Sequence, residues 1–110
     1  MKFHPQNLSE VFLIEPTPFK DDRGVFRRHF CDQEFSEKGI ITDVRQCNVS
    51  ENRYANTLRG FHYQKEPFSE GKFVYILQGS IQFVLVDLRI HSSTYLKKYS
   101  KKQCSQNDTV

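Results

Sequence analysis

Short runs of β-branched and aromatic residues, broken by clusters of turn formers, set the pattern of this chain. They are Val11 to Ile14, Val25 to Phe30, Val44 to Val49, Phe73 to Leu77 and Ile81 to Leu88. Runs of that length and composition read as β-strands. Gln78-Gly79-Ser80 joins two of them. A hairpin between Lys72 to Leu77 and Ile81 to Leu88 is expected there, with Gly79 taking the positive φ that such a turn often needs. Helical character is confined to Asp32 to Lys38, which stops at Gly39, where the missing Cβ suits a C-terminal cap. A parallel α/β fold would need helices of about 10 residues between its strands, so the pattern predicts an all-β sandwich or small barrel. The closing stretch, Lys97 to Val110, is polar and carries Lys97, Lys98, Lys101 and Lys102, and reads as a solvated surface segment.

Composition narrows this further. A chain of 110 residues has room for one domain, here residues 1–110, and a 37% hydrophobic content with 10 Phe excludes disorder as the default state. Lys and Arg exceed Asp and Glu by only 16 to 13, too small a surplus for a nucleic-acid groove but compatible with a small phosphorylated ligand. Cys31, Cys47 and Cys104 are odd in number and widely spaced, and no secretory leader is recognisable. Free thiols in a reducing, cytoplasmic setting are expected. No apolar run reaches the roughly 20 residues needed to span a bilayer, so no membrane partner is expected.

Candidate chemistry concentrates in Leu58-Arg59-Gly60-Phe61-His62-Tyr63-Gln64 and in Gly71-Lys72 through Gly79. Strand alternation puts His62 and Gln64 on one face. The arrangement resembles the first conserved motif of cupins, in which His-x-His on one strand and a Glu on the next hold a metal. Here Gln64 stands for the second His and Lys72 for the Glu. An ammonium in place of a carboxylate ligand opposes a divalent cation, and no metal or other cofactor is expected. One imidazole with Lys72 and Arg59 beside it suits proton abstraction next to a carbonyl, His62 as base and the two cations stabilising an enolate oxygen. Taken alone, a single strand histidine is more often a structural residue than a catalytic one.

Further runs carry a wider resemblance. Asp22-Arg23-Gly24-Val25-Phe26, Gln46-Cys47-Asn48-Val49-Ser50, the Leu58 to Gln64 run, Gly71-Lys72 and Val86-Asp87-Leu88-Arg89 follow one another in order. Together they resemble the dTDP-4-dehydrorhamnose 3,5-epimerase family of cupin-fold nucleotide-sugar epimerases. The resemblance implies a jelly-roll β-barrel acting on a nucleotide-linked 4-keto-6-deoxysugar in deoxysugar and cell-surface polysaccharide biosynthesis, without a cofactor and as a homodimer. It implies His62 as catalytic base, with Lys72 and Arg59 beside the 4-keto oxygen. It further implies Arg23, Phe26, Gln46 and Asn48 as holders of the nucleotide base and diphosphate, roles that suit the donor fork of Arg and the base-reading amides of Gln and Asn.

The chain departs from the family pattern in three ways. Arg28 stands where the family has a Glu, a charge reversal that leaves the nucleotide base open. Phe83 stands where an inward Asp is common, and losing that carboxylate bears on the proton affinity of His62 and on which carbon is epimerised. The family's last strands, with its tyrosine acid and the aspartate that orients the histidine, have no counterpart, so an exposed apolar interior and unpaired edges are expected. Two functional readings follow. One is a nucleotide-sugar 3,5-epimerase or an enolising relative; the other is a truncated non-catalytic relative that binds a nucleotide sugar or serves as a partner subunit.

Overall fold

Backbone pairing in the computed structural model, which describes residues 1–105, is almost entirely antiparallel and local. Strand β1 (Lys2–Pro5) pairs with β2 (Phe12–Glu15), and β3 (Pro18–Asp21) with β4 (Gly24–Arg27). β5 (Ser80–Val86) pairs with β6 (Lys98–Cys104). A single short helix, α1 (Asp32–Ser36), follows β4. The chain leaves it through Gly39 at φ +72°, a conformation side chains disfavour, while the Gly39 and Ile40 amides donate to the Ser36 and Phe35 carbonyls.

Strand character at residues 11–14, 25–30 and 81–88 and the short helix are therefore as expected, with shifted ends. Two short partners, β1 and β3, carried too little pattern to be expected. Three expectations fail. Val44 to Val49 and Phe73 to Leu77 form no strand. Segment 72–77 does not pair with β5, because β6 takes that place with Ser80 opposite Cys104 and Val86 opposite Lys98. The polar stretch beginning at Lys97 is consequently not a free surface segment, since residues 98–104 form a strand; residues 106–110 lie outside the described part. The physical reason is common to all three. A ladder needs a partner backbone, and a lysine-rich strand is acceptable at a sheet edge with one face in water. Residues Lys98, Ser100, Lys102 and Cys104 face outward, while Tyr99, Lys101 and Gln103 are half-buried.

The three two-stranded sheets do not join, and no barrel closes among the described residues. Buried apolar side chains are Leu8, Phe35 and Ile76. Phe35 forms the centre of the main cluster: its ring meets those of Phe30, Phe3 and Phe73 at centroid distances of 5.0, 5.3 and 5.4 Å. These spacings and tilted or edge-on angles are the favoured ones for aromatic pairs. A radius of gyration of 15.6 Å exceeds the ~13 Å of a compact domain of this length, so the body is open.

A polar cluster locks the β5–β6 connection onto the loop between β1 and β2. The Asp87 carboxylate accepts from Arg89 Nε at 2.9 Å and Nη2 at 2.8 Å, from Ser92 Oγ at 2.6 Å and from Thr94 Oγ1 at 2.7 Å. Arg89 reaches on to the Ser9 carbonyl at 2.9 Å and to Glu10, and the Ser9 amide donates to Thr94 Oγ1 at 3.0 Å. The Arg89 guanidinium, aided by the two hydroxyls, holds the Asp87 carboxyl far below the usual carboxylate range. A second tie is made by Tyr99, whose hydroxyl donates to Gln6 Oε1 at 2.8 Å.

Candidate functional site

The β3–β4 hairpin frames a shallow, open recess. Its register sets Asp21 opposite Gly24, leaving Asp22-Arg23 as a two-residue turn, and sets Phe19 opposite Phe26. Gly24 sits at φ +138°, where a Cβ would be strained, so the tight turn depends on glycine. A concavity of about 350 Å³ is lined by Phe19, Lys20, Asp21, Arg23, Gly24, Val25 and Phe26. Arg23 donates through Nη2 and Nε to Asp21 Oδ2, at 2.7 and 3.2 Å, and its amide donates to Asp21 Oδ1 at 2.9 Å. Those bonds lower the Asp21 carboxyl from its ordinary value. Both aromatic rings are open to solvent, Phe19 at 67% and Phe26 at 69% exposure. Two accessible rings between two cations can stack a flat heterocycle and pair with phosphate oxygens.

The structure thus brings together two of the expected binding residues, Arg23 and Phe26. It adds Phe19 and Lys20, which motif reading missed. The signal was present, because a two-residue turn at Asp22-Arg23 places residue 19 across from residue 26 by counting alone.

The expected catalytic group lies elsewhere, on the segment between α1 and β5. Gly60 adopts φ +110° immediately before Phe61 and His62. His62 is solvent-exposed, and no hydrogen bond or ion pair joins it to Lys72 or Arg59 among the described residues. Lys72 Nζ pairs with Glu70 Oε1 at 2.8 Å, and Arg59 Nη2 donates to the Glu51 carbonyl at 3.4 Å. Gln46 and Asn48 are exposed on the same segment. These five residues are therefore carried by one stretch of chain, apart from the hairpin that holds Arg23 and Phe26. Among the described residues no three His, Cys, Asp or Glu side chains converge on a metal position, and Cys31, Cys47 and Cys104 are unpaired. No helix among them is long and apolar enough to cross a membrane.

The two departures with side chains in the framework have clear surroundings. Arg28 Nη1 donates to Glu34 Oε1 at 3.2 Å, and Glu34 Oε2 accepts from the Met1 amine at 2.5 Å. The amine, and then Arg28, lower the Glu34 carboxyl from its ordinary value. A Glu at position 28 would face Glu34 with like charge, so Arg28 is consistent with the helix it meets. Phe83 is half-buried on β5 opposite Lys101.

Comparison with known proteins places this geometry. The family model described as dTDP-4-dehydrorhamnose 3,5-epimerase matches residues 5–109. The dTDP-4-dehydrorhamnose 3,5-epimerase of Sinorhizobium fredii is 36% identical over 107 residues, covering 97% of this chain and 55% of the relative. That of Methanothermobacter thermautotrophicus is 37% identical over 94 residues, 86% of this chain and 50% of the relative. The crystal structure of the Elizabethkingia anophelis enzyme superposes with a TM-score of 0.91 at 36% identity, covering 97% of this chain and 58% of that one. The Bacillus anthracis enzyme, solved with TDP and PPi bound, gives 0.88 at 34% identity over 96% of this chain and 61% of its own. The chain spans about half the length of the curated relatives it matches. With both its motifs and the path of its backbone shared along nearly its whole length, the chain belongs to the dTDP-4-dehydrorhamnose 3,5-epimerase family.

Proposed function

We propose that this chain serves the epimerisation of a nucleotide-linked 4-keto-6-deoxysugar, by removal and return of protons on carbons next to the ketone. A ketone makes those hydrogens acidic, and a base near neutral pKa with cations at the developing oxyanion is what the step requires. His62 is the base in this reading, with Lys72 and Arg59 stabilising the enolate. Arg23, Phe26, Gln46 and Asn48 hold the nucleotide, joined by Phe19 and Lys20 at the hairpin. No redox or metal cofactor enters the step. The setting is cytoplasmic deoxysugar and cell-surface polysaccharide biosynthesis, within a jelly-roll barrel and a homodimer.

The observation that supports this reading is the 0.91 superposition on a solved epimerase, alongside the Arg59 to Gln64 run and Lys72 in this sequence. Deuterium wash-in tests it. Incubated in heavy water with dTDP-4-keto-6-deoxyglucose, the chain should incorporate solvent deuterium into the sugar, and His62→Ala should abolish incorporation.

A second reading is favoured by the exposure of His62 on an open segment, since general-base chemistry gains from a water-excluded site. There the chain is a non-catalytic relative that binds a nucleotide sugar or serves as a partner subunit. TDP binding at the hairpin without any wash-in would select it.

A further inference from the structure

One local unit, an aspartate with an arginine two residues later, recurs along this chain at Asp21 and Arg23, Asp43 and Arg45, and Asp87 and Arg89. Each folds alike. Nε and Nη2 of the arginine both donate to the carboxylate, at 3.2 and 2.7 Å, 3.0 and 2.6 Å, and 2.9 and 2.8 Å in chain order. At Arg23 and Arg89 the backbone amide also donates to the aspartate Oδ1, at 2.9 and 3.0 Å, which ties the carboxylate to the turn. A guanidinium carries five N–H donors in one rigid plane, so a carboxylate on its Nε edge aims the remaining donors outward. The Asp87 clamp shows what those donors then take. Arg89 Nη1 pairs with the Glu10 carboxylate, and its Nη2 donates also to the Ser9 carbonyl at 2.9 Å. An arginine held by its own aspartate thus binds a second oxyanion within this same molecule.

Arg23 has the same hold and a different outlook. Its side chain is 91% exposed, no protein group meets its Nη1 among the described residues, and it lines the hairpin recess with Lys20 and Phe26. We propose that Asp21 is a positioning residue for oxyanion recognition at the hairpin, holding the Arg23 guanidinium so that Nη1 meets a phosphate oxygen of a nucleoside diphosphate as Arg89 Nη1 meets Glu10. This role rests on the reading that the hairpin holds the nucleotide, and it names the group that aims the cation there. Two opposing effects operate. The Asp21 charge repels a phosphate, whereas its hold on Arg23 removes in advance the rotamer freedom that a long exposed side chain loses on binding. The hold outweighs the repulsion because the Asp21 charge is already paired with the cation it orients. The Arg23 side-chain bond also lowers the Asp21 carboxyl from its ordinary value, so the pair stays ionised at neutral pH. Asp22, beside it in the turn, makes no hydrogen bond or ion pair among the described residues and carries the repulsion without the hold. Substituting each in turn separates the two effects.

The test titrates the whole 110-residue chain with TDP in a calorimeter, and with thymidine at millimolar concentration while the ring signals of Phe19 and Phe26 are followed by NMR. Asp21→Asn keeps an oxygen for the Arg23 amide, so the turn persists. It should weaken TDP about fivefold and leave thymidine unchanged, whereas Asp22→Asn should not weaken TDP. The Arg23 Hε resonance should stand apart from the bulk arginine position in the parent and return to it in Asp21→Asn, a change that a distortion elsewhere in the turn would not produce. A parent that binds TDP while Asp21→Asn binds it equally or more tightly would overturn the role of Asp21 and leave the nucleotide reading standing. An equal loss in Asp22→Asn, or an equal loss for thymidine, would do the same. A parent that binds no TDP would overturn both.

Discussion

Residues 1–40 and 80–105 spend their backbone bonds on one another, whereas residues 41–79 spend almost none. In the first region short strands find antiparallel partners, Phe35 is 2% exposed, and Asp87 is saturated by Arg89, Ser92 and Thr94. In the second lie the strongest sequence motifs, including Arg59 to Gln64, with side chains turned largely to solvent. The difference teaches that strand propensity and strand formation are separate properties. Val44 to Val49 has as much β-branched character as Phe12–Glu15, but only the latter has a neighbour to pair with.

Cutting the framework at its centre gives the largest expected effect. Phe35→Ala removes the ring on which Phe3, Phe30 and Phe73 converge and should cost about 3 kcal/mol, read as a lower urea midpoint. Next comes the clamp. Asp87→Asn should destabilise by about 2 kcal/mol, less than a deep charge pair would, because Arg89 is half exposed to screening water. Its pH dependence has a definite sign. The folded carboxyl lies below its unfolded value, so the stabilisation is complete above pH ~4 and is lost as pH falls below that. Urea midpoints between pH 6 and pH 3 should fall in the parent and fall less in Asp87→Asn.

Smaller again are the effects at the hairpin recess. Phe26→Ala and Arg23→Ala should each weaken TDP binding by about tenfold in calorimetry, with thermal stability unchanged, since both side chains are exposed. The smallest expected effect lies in the open segment. Val49→Lys should alter the stability of the chain alone by less than about 0.5 kcal/mol, because that side chain is already 71% exposed. A substantial loss there would erase the contrast between the two regions.

Part of the candidate site could be named before any coordinates. The Asp22-Arg23-Gly24 run was readable as a motif, and the strand register makes it a two-residue turn that brings Arg23 and Phe26 to one recess. Phe19 and Lys20 escaped notice because β3 is too short to show alternation. The Val86-Asp87-Leu88-Arg89 run was recognisable as a motif, but its work as a clamp depends on Ser92, Thr94, Ser9 and Glu10, which no local pattern connects.

Sequence alone pointed to the family, the β-rich character and the short helix ending before Gly39, and it named the residues on which the proposed chemistry rests. These are local matters of side-chain type, turn formers and spacing. Tertiary structure alone decided that β5 pairs with Lys98–Cys104 rather than with residues 72–77, and that residues 41–79 stand open. Pairing is a relation between distant stretches of backbone, so a strand exists only where another surface completes its hydrogen bonds.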